Sequence, residues 1–385
     1  MAYIIYADRA IDLKGNNLNP ENLKTKFKTA IQINQVLETR DYKTAYMFID
    51  PLTDSFEAAN HFYFNVLECT DISMLNIYRS GCGPIQALSD AKMLIENKIV
   101  DAVFVFGHEP LASIKLNQGK EFITNAMSIF GDITIPAAYN ELAHELLKEL
   151  DISKEQFLSA ATLLYENYNK AYMKDSIESD AVNKAVDRSS LLEKMNADLF
   201  TLTDCANPYV DFTGGMIITN KEIADYLEIP AQNQIEIKGA KYNIVADGPH
   251  NIDAIVGKQK DIFPHLGKAF RNACSQGQVD FVKEFKEGNA LMEVYTCYPP
   301  IPLAFLITTK MIEGIEQLAD FLHNHEITIT GGLNLARAPW NNPAFNSLIA
   351  LCEKLPQTEK EYGLVHGNGG LGGLQGVAIL QKAYK

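Results

Sequence analysis

The sequence predicts an α/β protein of two similar halves, with a helical insertion interrupting the first. Three observations carry this reading. Short apolar runs alternate with runs of helical apolar spacing over residues 1–122, the same strand, loop, helix, strand order returns over 231–385, and the stretch 123–207 is mainly helical in pattern. Residues 208–230 lead back into the first half. No long Gly/Ser linker, low-complexity tract or charge block separates the halves, which points to two fused units packed together. Alternation of strand and helix implies right-handed crossovers and a mostly parallel sheet.

Ile4 to Ala7 reads as a strand, Leu23 to Glu38 as a helix and Thr44 to Ile49 as a buried strand. Leu75 to Tyr78 is a further strand, running into Ser80-Gly81-Cys82-Gly83-Pro84. Beyond that turn Ile85, Leu88, Ala91, Leu94 and Ile95 recur at helical spacing, and Asp101 to Phe106 returns as an apolar strand closing at Gly107-His108-Glu109. In the insertion, Pro136 to Leu150 and Ser153 to Met173 are long amphipathic runs, and Ser153 with Gln156 has the spacing of a capping box. Gly214 to Thr219 and Ile235 to Ile237 resume the strands. Ala290 to Tyr295 and Glu326 to Thr330 read as strands, Asn342 to Leu355 as a helix, and Tyr362 to Val365 and Val377 to Leu380 as strands either side of a glycine-rich turn.

Hydrophobic residues make up 47% and charged residues 21% of the chain, values that exclude a disordered, collagenous or coiled-coil protein. The net charge of −14 repels phosphate backbones and anionic lipid heads, so the reading has no nucleic acid and no membrane as partner. An anionic ligand has to be captured locally, by helix N-termini, backbone amides or a few cations. Met1 to Arg9 has no basic region before its apolar stretch and reads as a first strand, not as a signal peptide or a span. The cysteines 69, 82, 205, 274, 297 and 352 have no close pairs, which fits free thiols and a cytoplasmic location.

Cys82 is the sharpest candidate for chemistry. It lies in a Gly-Cys-Gly-Pro turn between a strand and a helix, where the helix dipole and free amides favour a thiolate and hold a developing oxyanion. The alternative is a small buried cysteine in a tight turn. Gly367, Gly369 and Gly372 fit the spacing of a dinucleotide fingerprint, but too little chain remains for the helix and acidic residue that motif requires. A glycine hairpin that brings backbone close to a reactive centre, with His366 and the Asn368 amide at its rim, accounts for the run better. His323, His325 and Glu326 lack a further ligand at recognisable spacing and read as a polar helix end, so no metal is expected. Gly331-Gly332 and Pro339 to Pro343 put a loop before a helix, where Asn342 caps or faces a site.

Taken together these segments resemble the thiolase superfamily, and more closely the branch of lipid-transfer-protein-type thiolases and bacterial acetyl-CoA acetyltransferase homologues. The resemblance runs through Arg79-Ser80-Gly81-Cys82 and its helix, Asp101 to Glu109, Asp151 to Phe157, Leu202 to Pro208, Glu293 to Pro299, Gly331-Gly332 to Pro339 and His366 to Gly370. It implies two duplicated α/β halves in a five-layered αβαβα sandwich with a helical loop insertion, a homodimer, and an acyl group carried on cysteine. The substrate it implies is an acyl thioester, acetyl-CoA first, with no permanently bound cofactor.

The sequence also departs from the family. Alignment through Gln86-Ala87 and Ala91 puts Gly81, not Cys82, where the family has its cysteine. The Gly-His-Pro histidine falls on Ala338, the asparagine or histidine that holds a catalytic water falls on Tyr295, and the second cysteine falls on His366. The resemblance with these departures implies an acyltransferase in which Cys82 takes the acyl group and His366 is base and acid. In it the amides of Cys82 and Asn368 form the oxyanion hole, Tyr295 is a substitute hydroxyl donor, and Gly332, Asn342, Gly369 and Gly370 line the substrate. Two other readings stand beside it: a C-acyltransferase or retro-aldolase working with a small OB-fold partner, and a catalytically silent scaffold that keeps the fold.

Overall fold

The computed structural model describes residues 1–53, 56–128, 131, 133–175, 190–245, 251–258, 261–337 and 339–384. The apolar runs fold as strands β1 (Tyr3–Asp12), β2 (Thr44–Ile49), β3 (Leu75–Tyr78), β4 (Ala102–Pro110), β5 (Asp211–Thr219), β6 (Ile235–Ile244), β7 (Ala290–Glu293), β8 (Tyr362–Gly369) and β9 (Leu374–Lys382). They form one sheet in the order β3-β2-β4-β5-β1-β6-β9-β8-β7. The join is narrow: β1 meets β6 only at Tyr3↔Glu236 and Ile4↔Ile235. Beyond those pairs the two sets of strands part, and helices lie between them.

Seven helices matter for the site: α1 (Lys28–Thr39), α2 (Gly83–Glu96), α3 (Ile135–Leu150), α4 (Lys154–Asp175), α5 (Pro264–Gly277), α6 (Pro300–Thr308) and α7 (Pro343–Lys354). Three buried clusters define the layers. Ile31 and Leu37 of α1 cover Tyr46, Phe48, Phe104 and Ile217 on one face of the first strand set. On the opposite face Met47, Val105 and Ile218 meet Ile85, Leu88 and Ala91 of α2 and Phe345, Leu348 and Ile349 of α7, which are covered in turn by Val365, Ala378 and Leu380 of the second set. The far face of that set, Met292, Leu364, Val377 and Ile379, is covered by Leu266 and Phe270 of α5 and by Phe305, with Leu142, Leu146, Phe157 and Leu164 of α3 and α4 outside. Helix, sheet, two central helices, sheet, helix is the five-layered arrangement the sequence predicts, and side chains alternating along each strand feed adjacent layers.

The ladders differ from expectation. Pairing is parallel at β2–β3, β2–β4 and β7–β8 and antiparallel at β1–β5, β1–β6, β4–β5, β6–β9 and β8–β9, so the sheet is not mostly parallel. The excursion through 123–207 returns the chain as β5 antiparallel to β4, and β8 and β9 form a hairpin, whereas the passage through 315–357 is the crossover that the parallel β7–β8 pair requires. The helix read over 23–38 breaks at Phe27, whose fully buried ring sits edge-on to Phe62 and Phe106. Glu326 to Thr330 is no strand. Its amides at Ile329 and Thr330 are taken by the buried Glu293 carboxylate instead of a ladder. The capping box forms: Ser153 N–H donates to Gln156 Oε1 (2.8 Å) and Gln156 N–H to Ser153 Oγ (3.2 Å). Among the described residues no helix is long and apolar enough to cross a membrane.

Candidate functional site

The two central helices enter the sheet in matching ways. On β4 and β5, Gly107 faces Gly214, and on β8 and β9, Gly367 faces Gly376. The start of α2 lies against the second glycine pair and the start of α7 against the first, because only glycine leaves room for a helix end on strand backbone. Cys82, fully buried, is the N-cap residue of α2. A Cβ on Gly376 would sit 2.7 Å from its Sγ, and one on Gly367 would sit 3.5 Å from it. The thiol is therefore directed at strand backbone in the central layer. Burial pushes its pKa well up, against the thiolate that the helix end alone favours. The Cys82 amide donates to Ser80 Oγ at 3.2 Å.

His366 lies on the other side of the same strand. Val365 belongs to the central layer and Leu364 to the outer one, so alternation along β8 sends Gly367 toward Cys82 and sends His366 and Asn368 away from it. There His366 lies 4.6 Å, centroid to centroid, from Phe305 of α6. Its Nε2 carries the proton and donates to Gln375 Oε1 at 2.5 Å, while Nδ1 accepts the Tyr295 N–H at 3.4 Å. The Gln375 amide donates to Asn368 Oδ1 and to the Gly372 carbonyl. Asn368 Nδ2 donates to the Tyr139 hydroxyl at 3.2 Å, and that hydroxyl donates to the Gly370 carbonyl at 2.9 Å. Both ring nitrogens of His366 are thus engaged in a closed network. Burial lowers its pKa to about 4, which keeps it neutral.

Gly81, the position aligned with the family's cysteine, is filled from outside. A Cβ there would overlap the Tyr295 hydroxyl and the Asn368 carbonyl oxygen. Tyr139 stacks on Tyr298 at 4.2 Å beside it, and burial holds the Tyr139, Tyr295 and Tyr298 phenols well above their ordinary value. Cys297 is in the same cluster, within reach of Asn368 Nδ2 at 3.8 Å, with its thiol pushed up to about 12. The structure therefore brings together Tyr295, His366, Asn368 and Gly370 and leaves Cys82 behind β8. Gly369 faces Ser80. Gly332, with φ +73°, lies against Thr296, and Asn342 lies over Gly107, where its Nδ2 points to Glu109 at 3.4 Å. Ala338 is outside the described residues.

Gln375, Tyr139 and Gly376 carry no motif in the sequence, and Glu109 stands there only as the end of the Gly107-His108-Glu109 strand. A glutamine inside an otherwise apolar strand was the available signal for Gln375, since a buried amide needs partners on both its atoms. The network implies a structural cost: His366→Ala leaves Gln375 Oε1 and the Tyr295 amide unpaired around a cavity and should lower stability by about 3 kcal/mol in urea unfolding.

Glu109 is the counterpart of this cluster at the start of α7. Fully buried, it accepts from Leu52 N at 2.7 Å and Asn341 N at 3.3 Å, close to Asp50, which is paired with Arg79 at 2.6 Å. Burial raises its pKa to about 8. A carboxyl raised from its ordinary value binds a proton in the folded chain that the unfolded chain has lost, so its contribution to stability falls as pH rises from about 4.5 to 8. His366 and His108, both lowered to about 4, act oppositely and lose stability as pH falls from about 6.5 to 4. Glu109→Gln should flatten the decline between pH 6.5 and 8, measured by denaturant midpoints; an unchanged slope would assign that limb to another group.

No protein-family model and no curated protein matches the sequence. Solved structures do. A monomeric SCP2-thiolase-like protein type 1 from Mycobacterium smegmatis superposes with a TM-score of 0.72 at 17% identity, covering 99% of this chain and 77% of that one. Human mitochondrial 3-ketoacyl-CoA thiolase gives 0.66 at 15% identity, over 100% and 99% of the two chains. The Ltp2–ChsH2(DUF35) aldolase gives 0.67 at 14% identity, over 100% and 98%. With the layer order and the paired helix ends, these likenesses assign the chain the fold of the thiolase superfamily.

Proposed function

We propose that this chain is a catalytically silent thiolase-fold subunit, a scaffold that keeps the architecture without acyl-cysteine chemistry of its own. One observation carries the reading: at the head of α2 the Tyr295 hydroxyl fills the space a side chain at residue 81 would need, and the neighbouring thiol of Cys82 is turned to the opposite face of β8 from His366. Acyl transfer needs a thiolate and a base on one side of the chain within hydrogen-bond reach. What supports the silent reading is that Cys82 Sγ lies against Gly367 and Gly376 while both nitrogens of His366 are bonded, to Gln375 and the Tyr295 amide. The same proposal keeps 1–122 with 208–230 as the first half, 123–207 as the insertion and 231–385 as the second half, with a cytoplasmic homodimer as the working form.

The test is intact-protein mass after incubation with acetyl-CoA, beside Cys82→Ser. No adduct is expected on either chain. A single acetyl group that disappears in Cys82→Ser would overturn the reading and restore the acyltransferase.

A second reading has one observation in its favour. The Tyr295 hydroxyl stands at the N-terminal end of α2, where a donor faces a developing oxyanion, and a structurally similar aldolase carries two components in its name. In this reading the chain acts on an acyl-CoA thioester as a C-acyltransferase or retro-aldolase together with a small OB-fold partner. Turnover that appears only in a mixture with such a subunit, and is lost in Tyr295→Phe, would favour it.

A further inference from the structure

A cleft of about 330 Å³ opens on the side of the molecule where β1 runs past α7, and it shares no lining residue with the Tyr295 and His366 cluster. Its walls include Arg9 from β1, Tyr172 from α4, Ile329 from the loop after residue 326, and Ala350, Glu353 and Lys354 from α7. We propose that this cleft binds a small amphiphilic anion, with a carboxylate or phosphate monoester head on the Arg9 guanidinium and a flat apolar body between Tyr172, Ile329 and Ala350.

The cleft is preformed. Arg9 Nη1 donates to both the backbone and the side-chain oxygen of Asn346, which fixes the guanidinium in the recess with its side chain 22% exposed. The loop wall is tied from behind by Glu293, whose carboxylate accepts from the Ile329 and Thr330 amides and the Thr330 hydroxyl. Gly331, at φ +90°, lets the Tyr172 side chain lie directly on the loop backbone. In a chain of net charge −14, a guanidinium held in a recess is the kind of local device that can capture an anion against the long-range field.

The outer amino group of Arg9 is occupied by Glu353, whose Oε2 accepts from Nη2 at 3.0 Å and whose side chain is 41% exposed. An exposed pair of this kind is weak, and a ligand head with the planar oxygens that match a guanidinium can replace it. The exchange leaves the anchoring bonds to Asn346 in place, and the apolar walls supply the rest of the binding surface. A ligand there bears on the loop 329–333, whose other end is bonded to Thr296 Oγ1 through Leu333 N at 2.8 Å.

Isothermal titration of the full chain with benzoate and with phenyl phosphate, at constant ionic strength and beside benzyl alcohol, tests this. Saturable binding of at least one anion and none of the alcohol is expected; which anion binds identifies the head. Glu353→Gln removes the internal competitor and should tighten binding roughly threefold or more. Ala350→Phe fills the cleft and should abolish binding. No saturable binding of either anion, or an affinity unchanged in Glu353→Gln, overturns the proposal, and the exposed Glu353 site keeps that arm decisive if Ala350→Phe fails to fold.

Discussion

Gly81→Cys should destabilise the chain by about 1–3 kcal/mol, the usual cost of forcing atoms into filled space, and combining it with Tyr295→Asn should return part of that loss. The reason is that a Cβ at residue 81 overlaps the Tyr295 hydroxyl and the Asn368 carbonyl. Removing the phenol clears one of the two obstructions, so the double variant should be less destabilised than the sum of the single changes by roughly 1–2 kcal/mol. The new thiol at the head of α2 would then face the His366 side of β8 and feel the helix end. It should alkylate with iodoacetamide roughly ten times faster than Cys82 does in the parent chain. A stable Gly81→Cys whose thiol reacts while Tyr295 is intact would show that the phenol does not close this position.

Gly376→Ala is the second change with a large expected effect. Its new methyl group would lie 2.7 Å from Cys82 Sγ and 2.8 Å from the Ile85 side chain, in a layer with no slack. A loss of about 2 kcal/mol is the expected cost of overpacking. Cys82→Ala alone should cost about 1 kcal/mol for the missing sulfur. Together the two should be milder than additive by roughly 1 kcal/mol, because the deleted sulfur is what the added methyl strikes. Strict additivity in urea unfolding would mean that the thiol does not point at β9, and the case against its reactivity would lose its geometric basis.

Much of the architecture was legible because it rests on local signals. Thr44–Ile49 and Leu75–Tyr78 fall where the sequence puts them, since a short apolar run between polar segments has few other fates. The capping pair of Ser153 and Gln156 is equally local. The direction of Cys82 was not legible. Its place at the start of a helix is set by the Gly-Pro turn, but which way the thiol faces depends on Gly367 and Gly376, nearly three hundred residues away in sequence. The glycine run puts His366 at the rim of a hairpin, because glycines normally end strands. The strand instead runs on to Gly369, paired residue by residue with β9, and that extension fixes the histidine on the opposite face from the cysteine. Glu326 to Thr330 has strand composition, and only the buried Glu293 explains why its amides turn away from the sheet.

The place of β1 in the sheet sets the order in which the chain can assemble. Its neighbours are β5, where Tyr3 pairs with Thr219, and β6, where Ile4 pairs with Ile235. A ribosome adding roughly 5–20 residues each second finishes the first strand at least ten seconds before either partner exists. Through that interval an apolar strand with both edges open has nothing of its own to pair with. Loops of this length make the pairing slow to nucleate, and the first half cannot close before the whole insertion and β5 after it have been made. Refolding from denaturant and folding during synthesis should therefore differ most in the fate of residues 3–12.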